Sequence, residues 1–127
     1  MYRLGKYSVE IIVNLENGIY VFDNESATGK TRLCKVLREY QAYGEKVASY
    51  TYNDKLLGVP IEEILVPEKY EVILLDRYDL YEGYGKELIN KCARHSIILV
   101  DCKDKFTVTN EEDWCSIELK PHKIEVN

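Results

Sequence analysis

Asp23-Asn24-Glu25-Ser26-Ala27-Thr28-Gly29-Lys30-Thr31 is the stretch on which the reading of this chain turns. Its end completes the pattern G-x-x-x-x-G-K-[ST], in which each part has a physical task. Backbone N–H groups of such a loop wrap an anion, and the helix that follows adds its N-terminal dipole. The lysine, here Lys30, neutralises phosphate charge, and the hydroxyl, here Thr31, ligates Mg²⁺. Asn24 stands where the pattern has its first glycine. Asparagine is the non-glycine residue that most readily accepts left-handed backbone angles. Ala27 and Thr28 are small and allow close approach to phosphate, whereas Glu25 has to point away from a loop built for anions. The candidate phosphate-contacting residues are therefore Asn24, Glu25, Ser26, Ala27, Thr28, Gly29, Lys30 and Thr31.

The flanking sequence supplies the context that this chemistry needs, a strand before the loop and a helix after it. Upstream, residues 8–13 are rich in β-branched side chains and read as a strand. Asn17-Gly18 is a two-residue hairpin signal, and residues 19–22 form the next strand, so an antiparallel hairpin is expected to feed the loop. Downstream, Leu33, Val36, Leu37 and Tyr40 recur at helical spacing, predicting a helix from Gly29 or Lys30 to Tyr43 with Gly44 at its C′ position. Residues 47–52 read as a strand broken by Asn53-Asp54, and residues 60–65 as a short helix between two prolines. Residues 71–76 and 96–101 are continuous apolar runs ending in Asp76 and Asp101, with a helix over residues 86–94 between them. Continuous apolar strands alternating with helices indicate a parallel sheet covered on both faces. The tail reads as short strands at 106–109, 115–120 and 123–126, with Pro121-His122 turning the last pair. The expected fold is one α/β domain over residues 1–127. It has three layers, a mostly parallel sheet, the N-terminal hairpin and short C-terminal antiparallel strands.

Taken together, the loop at 24–31 and the strand Val72-Ile73-Leu74-Leu75-Asp76 resemble the Walker A and Walker B motifs of the P-loop NTPases. The chain is most similar to a minimal ABC- or SMC-type ATPase core, where a hairpin feeds a loop of the form G-E-N-G-S-G-K-S. The resemblance covers most of residues 8–101 and gives Glu25 a precedent. It implies a nucleotide ligand, ATP or GTP, with Mg²⁺ held by Thr31 and Asp76. It also implies catalytic roles for Asp76, Asp79 and Arg77. Asp79 or Asp101 would position water, and Arg77 or Arg94 would stabilise phosphate charge, in the same chain or across a homodimer. The family usually has a glutamate directly after the Walker B aspartate, and here Arg77 occupies that place. There is also no LSGGQ-like segment and no room for a helical arm. The resemblance thus carries nucleotide binding further than hydrolysis.

Two other readings stand beside it. Asp76-Arg77-Tyr78 is similar to the strand-end triplet of small nucleoside and nucleotide kinases, although no arginine-bearing lid lies between Asp76 and Ser96. Alternatively, the chain is a non-hydrolysing, P-loop-derived regulatory module, such as a bacterial or phage accessory protein. It would then dock on a larger protein through its acidic, tyrosine-rich surface.

Composition narrows the class. The chain has 127 residues, 46% hydrophobic and 31% charged, a globular balance large enough for one core. A formal net charge of -5 argues against nucleic acid as partner. No apolar run is long enough to span a bilayer or begin a signal peptide, so a cytoplasmic protein is expected. Cys34, Cys92, Cys102 and Cys115 lack metal or disulfide spacing and read as reduced core residues. Eleven tyrosines suggest either a binding face or half-buried packing, the latter favoured.

Overall fold

The computed structural model describes residues 2–5, 9–23, 27–81, 86–102 and 112–127. Along these residues the elements are β1 (Tyr2–Leu4), β2 (Glu10–Val13), β3 (Gly18–Phe22), α1 (Ala27–Ala42), β4 (Val47–Tyr50), α2 (Tyr52–Leu56), β5 (Val72–Leu75), α3 (Lys86–Cys92), β6 (Ile97–Val100), β7 (Glu112–Cys115), β8 (Ile117–Lys120) and β9 (Lys123–Val126). Short 3₁₀ turns occupy Ile61–Glu63 and Tyr78–Leu80. Five strands form one sheet in the order β4-β5-β6-β3-β7, with every pairing parallel. The other four form a mixed sheet in the order β1-β2-β9-β8.

The apolar runs explain the parallel sheet. Successive side chains of a strand point to opposite faces, so a strand buried on both must be apolar throughout. Val72, Leu74, Ile97, Leu99 and Phe22 join one core with Leu33, Leu37 and Tyr40 of α1. Ile73, Leu75, Ile98, Val100, Ile19 and Val21 join the other with Ile89 and Cys92 of α3 and with Ile61 and Leu65. The mixed sheet adds Ile11, Val13, Ile124 and Val126 to the α1 core. All four cysteines are free and buried, as the sequence suggested. Tyr78 and Tyr81 are also buried, so these two tyrosines pack the interior instead of forming a docking face.

Helix α1 ends as its sequence dictates. Gly44 takes a φ of 87°, and Glu45 N–H reaches Tyr40 O at 3.1 Å while Gly44 N–H reaches Gln41 O at 3.0 Å. That is the paired closure of a Schellman end. The outer edge of β4 is occupied too. Ser49 N–H donates to Gln41 Oε1 at 3.4 Å, Thr51 N–H to Asp54 Oδ2 at 2.8 Å, and Arg38 binds both the Ser49 hydroxyl and the Asp54 carboxylate. These contacts use groups that would otherwise template another strand.

Several expectations are corrected. The N-terminal hairpin does not form: β2 and β3 belong to different sheets. Both edges of β3 are taken by β6 and β7, and β2 lies between β1 and β9. Residues 14–17 separate the two strands, and Asn14 N–H already donates to Val126 O while Gly18 N–H donates to Ser96 O. The antiparallel partner of β2 is instead β1, from Tyr2↔Val13 to Leu4↔Ile11. Residues 115–120 are not one strand. The chain changes sheets at Ser116, β7 running parallel to β3 and β8 antiparallel to β9. Asn53-Asp54 does not break a strand but lies inside α2, because Thr51 and Asp54 close a capping box around its first turn. Helix α1 begins at Ala27, earlier than expected. The strand expected at 106–109 lies outside the described residues.

The change of sheets at Ser116 brings Ile117 against the first turn of α1. A methyl group on Gly29 would sit 2.9 Å from Ile117 Cγ2. Gly29→Ala should therefore lose more by overpacking than it gains in helix propensity, a net loss of about 1 kcal/mol in urea unfolding. Adding Ile117→Ala should recover part of that loss, seen as non-additivity in a double-mutant cycle.

Candidate functional site

Strands β5 and β6 end in acids because their apolar runs stop where the sheet emerges. Asp76 N–H donates to Tyr50 O and Asp101 N–H to Leu75 O, each at 2.9 Å, so the ladder continues one residue past the strands and fixes both side chains. Aromatic packing holds these ends in place. Tyr81 Oη donates to Asp76 O at 2.7 Å, and its ring meets those of Tyr50 and Tyr78 edge-on at 5.3 and 5.4 Å. Tyr78 N–H donates to Asp101 O at 2.7 Å.

Lys30, in the first turns of α1, reaches across to this edge. Its Nζ lies 2.7 Å from Asp101 Oδ1, with the two side chains only 12% and 8% exposed. The Asp76 carboxyl is raised from 3.8 to about 6, first by burial and then by its hydrogen bond and charge repulsion with Asp101. The charges of Arg77 and Lys30 offset this in part. Lys30 and the two strand-end acids, separate in sequence, thus form one cluster at the carboxyl ends of β5 and β6. That is where parallel sheets place their ligands.

Arg77 follows in a left-handed conformation, φ 50° and ψ 52°. Its guanidinium forks onto Asp79, Nε to Oδ1 at 3.1 Å and Nη2 to Oδ2 at 3.0 Å. An acid held in such a fork accepts two charge-assisted bonds and is a poor base. Of the other expected site residues, Thr31 is exposed on α1 and Gly29 is buried beneath Ile117. Ala27 and Thr28 form the start of α1. Asn24, Glu25 and Ser26 lie outside the described residues. Arg94 is not brought to the cluster. It precedes β6, at the opposite end of the sheet from Asp76, and so cannot stabilise phosphate charge within this chain. Tyr78 of the kinase-like triplet is wholly buried.

The carboxylates of Asp76 and Asp101 fit Mg²⁺ in kind, as hard oxygen ligands. Among the described residues, Asp76 and Asp101 face the charges of Lys30 and Arg77. Among the described residues no group of three or more His, Cys, Asp or Glu could hold a metal alone. Phosphate oxygens and water would have to complete the shell, as is usual for Mg²⁺.

The sequence reading missed the polar link in which Arg38 joins Ser49 to Asp54, whose signal was the Thr51-x-x-Asp54 spacing of a capping box. It borders an open cleft of about 520 Å³ on the outer side of β4, lined by Arg38, Gln41, Ser49 and Asp54. Among the described residues no helix is long and apolar enough to cross a membrane. Comparison of the chain with protein-family models, curated proteins and solved structures gives no match.

The raised Asp76 has a signed consequence. Between about pH 4 and pH 6 the folded chain holds a proton on Asp76 that the unfolded chain has lost, so stability from this group falls as pH rises through that window. Asp76→Asn cannot titrate. Urea midpoints of the two proteins across that range should show a decline in the wild type that is smaller in Asp76→Asn. Parallel curves would show that Asp76 titrates normally.

Proposed function

We propose that this chain binds the phosphates of a nucleoside triphosphate, ATP or GTP, together with Mg²⁺. The site would lie where β3 gives way to α1 and faces Asp76 and Asp101. The observation that carries this reading is the position of Lys30, aimed into the acidic strand ends and 2.7 Å from Asp101. A lysine that served only to cap a helix face would have no reason to be desolvated there. The strand order supports the same reading, since β6 lies between the loop-bearing β3 and the acid-bearing β5, an arrangement compatible with an ABC-type core. Lys30 would exchange Asp101 for phosphate oxygens, and the ionised Asp76 and the Thr31 hydroxyl would hold Mg²⁺ or its water. When bound, Mg²⁺ would neutralise phosphate charge and fix its orientation.

Turnover is a separate matter. The second reading, a P-loop-derived module that binds without hydrolysis, is favoured by the Arg77–Asp79 fork. That fork occupies Arg77, one of the two arginines expected to stabilise phosphate, and Asp79, one of the two acids expected to position water. A small kinase is less well supported, because Tyr78 is interior and Arg77 is engaged.

Calorimetric titration with Mg²⁺·ATP and Mg²⁺·GTP tests the proposal. Lys30→Met keeps most of the side-chain stem and removes the charge. Saturable binding in the wild type that falls at least tenfold in Lys30→Met, with matching far-ultraviolet circular dichroism, is the expected result. Binding unchanged in Lys30→Met would reject the loop as the site. Phosphate release slower than one turnover per hour by a chain that binds nucleotide would select the non-hydrolysing reading.

A further inference from the structure

Lys30 is the fourth residue of α1, and the first turn of that helix contains no acidic residue. A cation so near a helix N-terminus is opposed by the helix dipole, so its charge needs an anion from elsewhere in the fold. Asp101 supplies it. Lys30 Nζ lies 2.7 Å from Asp101 Oδ1 with both side chains largely buried, out of reach of the screening that weakens surface pairs. Asp76 feels the charge of Lys30 as well, but the ion-pair contact is made with Asp101. The Asp101 backbone is held on both sides: its N–H donates to Leu75 O at 2.9 Å, and its carbonyl accepts from Tyr78 N–H at 2.7 Å. The carboxylate is therefore carried on a fixed strand end and presented to the lysine. Carboxylate and phosphate oxygens are alike as charged acceptors of a lysine N–H, so Asp101 occupies the place on Lys30 that a phosphate would take.

We infer that Asp101 is a built-in competitor for phosphate, an autoinhibitory contact that holds Lys30 until a stronger anion displaces it. The inference rests on the phosphate-binding reading above. Two costs oppose displacement. The incoming anion has to break a charge-assisted bond that is already made. It also releases the Asp101 carboxylate beside Asp76, and these two acids already repel one another. The cost is the same for every anion, so it sets a threshold. A small anion with one contact to Lys30 recovers only what it breaks, whereas a polyphosphate chain has further contacts to draw on.

Calorimetry in metal-free buffer isolates the competition, at a pH well above the Asp76 pKa of about 6 so that this acid is ionised. The probe is tripolyphosphate, which has the anionic chain and neither base nor cation. Asp101→Asn should tighten its binding by about 10- to 100-fold, the worth of one charge-assisted bond. Asp76→Asn removes the same charge from the neighbouring acid without freeing Lys30, and should tighten binding far less. The gain should vanish when Asp101→Asn is combined with Lys30→Met. In the wild type, which needs no substitution to fold, saturation with tripolyphosphate should shift the carboxyl carbon resonance of Asp101. Equal gains from Asp101→Asn and Asp76→Asn, or a gain that survives Lys30→Met, would show a general field effect and overturn the competitor. So would an Asp101 resonance that does not move. These results leave the phosphate site standing as long as the wild type binds and Lys30→Met weakens that binding. Absence of binding in the wild type and in Asp101→Asn alike would overturn both.

Discussion

The parallel pairing of β3 with β6 is the constraint from which the rest of the arrangement follows. Its register sets Ile19 against Ile98 and Val21 against Val100, so both strands send alternate residues to the same two cores. A slip of one residue would exchange the faces of every side chain in β3 and put Phe22 where Val21 now packs. It would also move the start of α1 along the sheet edge, and with it Lys30. The 2.7 Å contact between Lys30 and Asp101 thus depends on hydrophobic alternation several residues away. The site's geometry is set by the core, and its acids are carried by the residues that follow strands β5 and β6.

Asp76 is desolvated beside Asp101, Lys30 pairs with Asp101, and the charges of Arg77 and Lys30 offset the Asp76 burial only in part. Holding two acids this close is costly, because burial and mutual repulsion both disfavour their charged forms. The arrangement makes physical sense if a cation and an anion enter together. A cation relieves the two acids, and an anion takes over Lys30. Neither ligand alone would leave the cluster as well compensated.

Much of this was legible in the sequence, for identifiable reasons. The runs Val72–Leu75 and Ile97–Val100 are apolar at every position, which only a doubly covered strand requires, and Leu33, Leu37 and Tyr40 announce the helix that covers them. Lys30, Asp76 and Asp101 were readable because each stands at a fixed place relative to such an element. Pairing partners were not readable. Asn17-Gly18 has the chemistry of a tight hairpin, yet the hydrogen bonds of Asn14 and Gly18 lead to different sheets, and competition between distant strands is not written in a dipeptide. The split at Ser116 was hidden for the same reason, since Cys115 and Ile117 are both apolar and only long-range pairing distributes them. The bond between Arg77 and Asp79 was hidden by the left-handed backbone at Arg77, a conformation that arginine's propensities do not suggest.

That left-handed turn bears on what the site does. A non-glycine residue held there stores a modest strain, which persists when surrounding contacts over-determine it. Here the contacts are identifiable: Asp76 N–H on Tyr50 O, Tyr78 N–H on Asp101 O, and Tyr81 Oη on Asp76 O. They grip the chain on both sides of Arg77 and leave its side chain turned onto Asp79. For Arg77 to reach a phosphate it would have to release its two charge-assisted bonds to Asp79. For Asp79 to take a proton from water, the same fork would have to open. Binding requires only that Lys30 change partners within a cluster already rich in anions, whereas catalysis requires a second pair to be dismantled. On the proposed reading, that difference favours a site that holds nucleotide over one that turns it over.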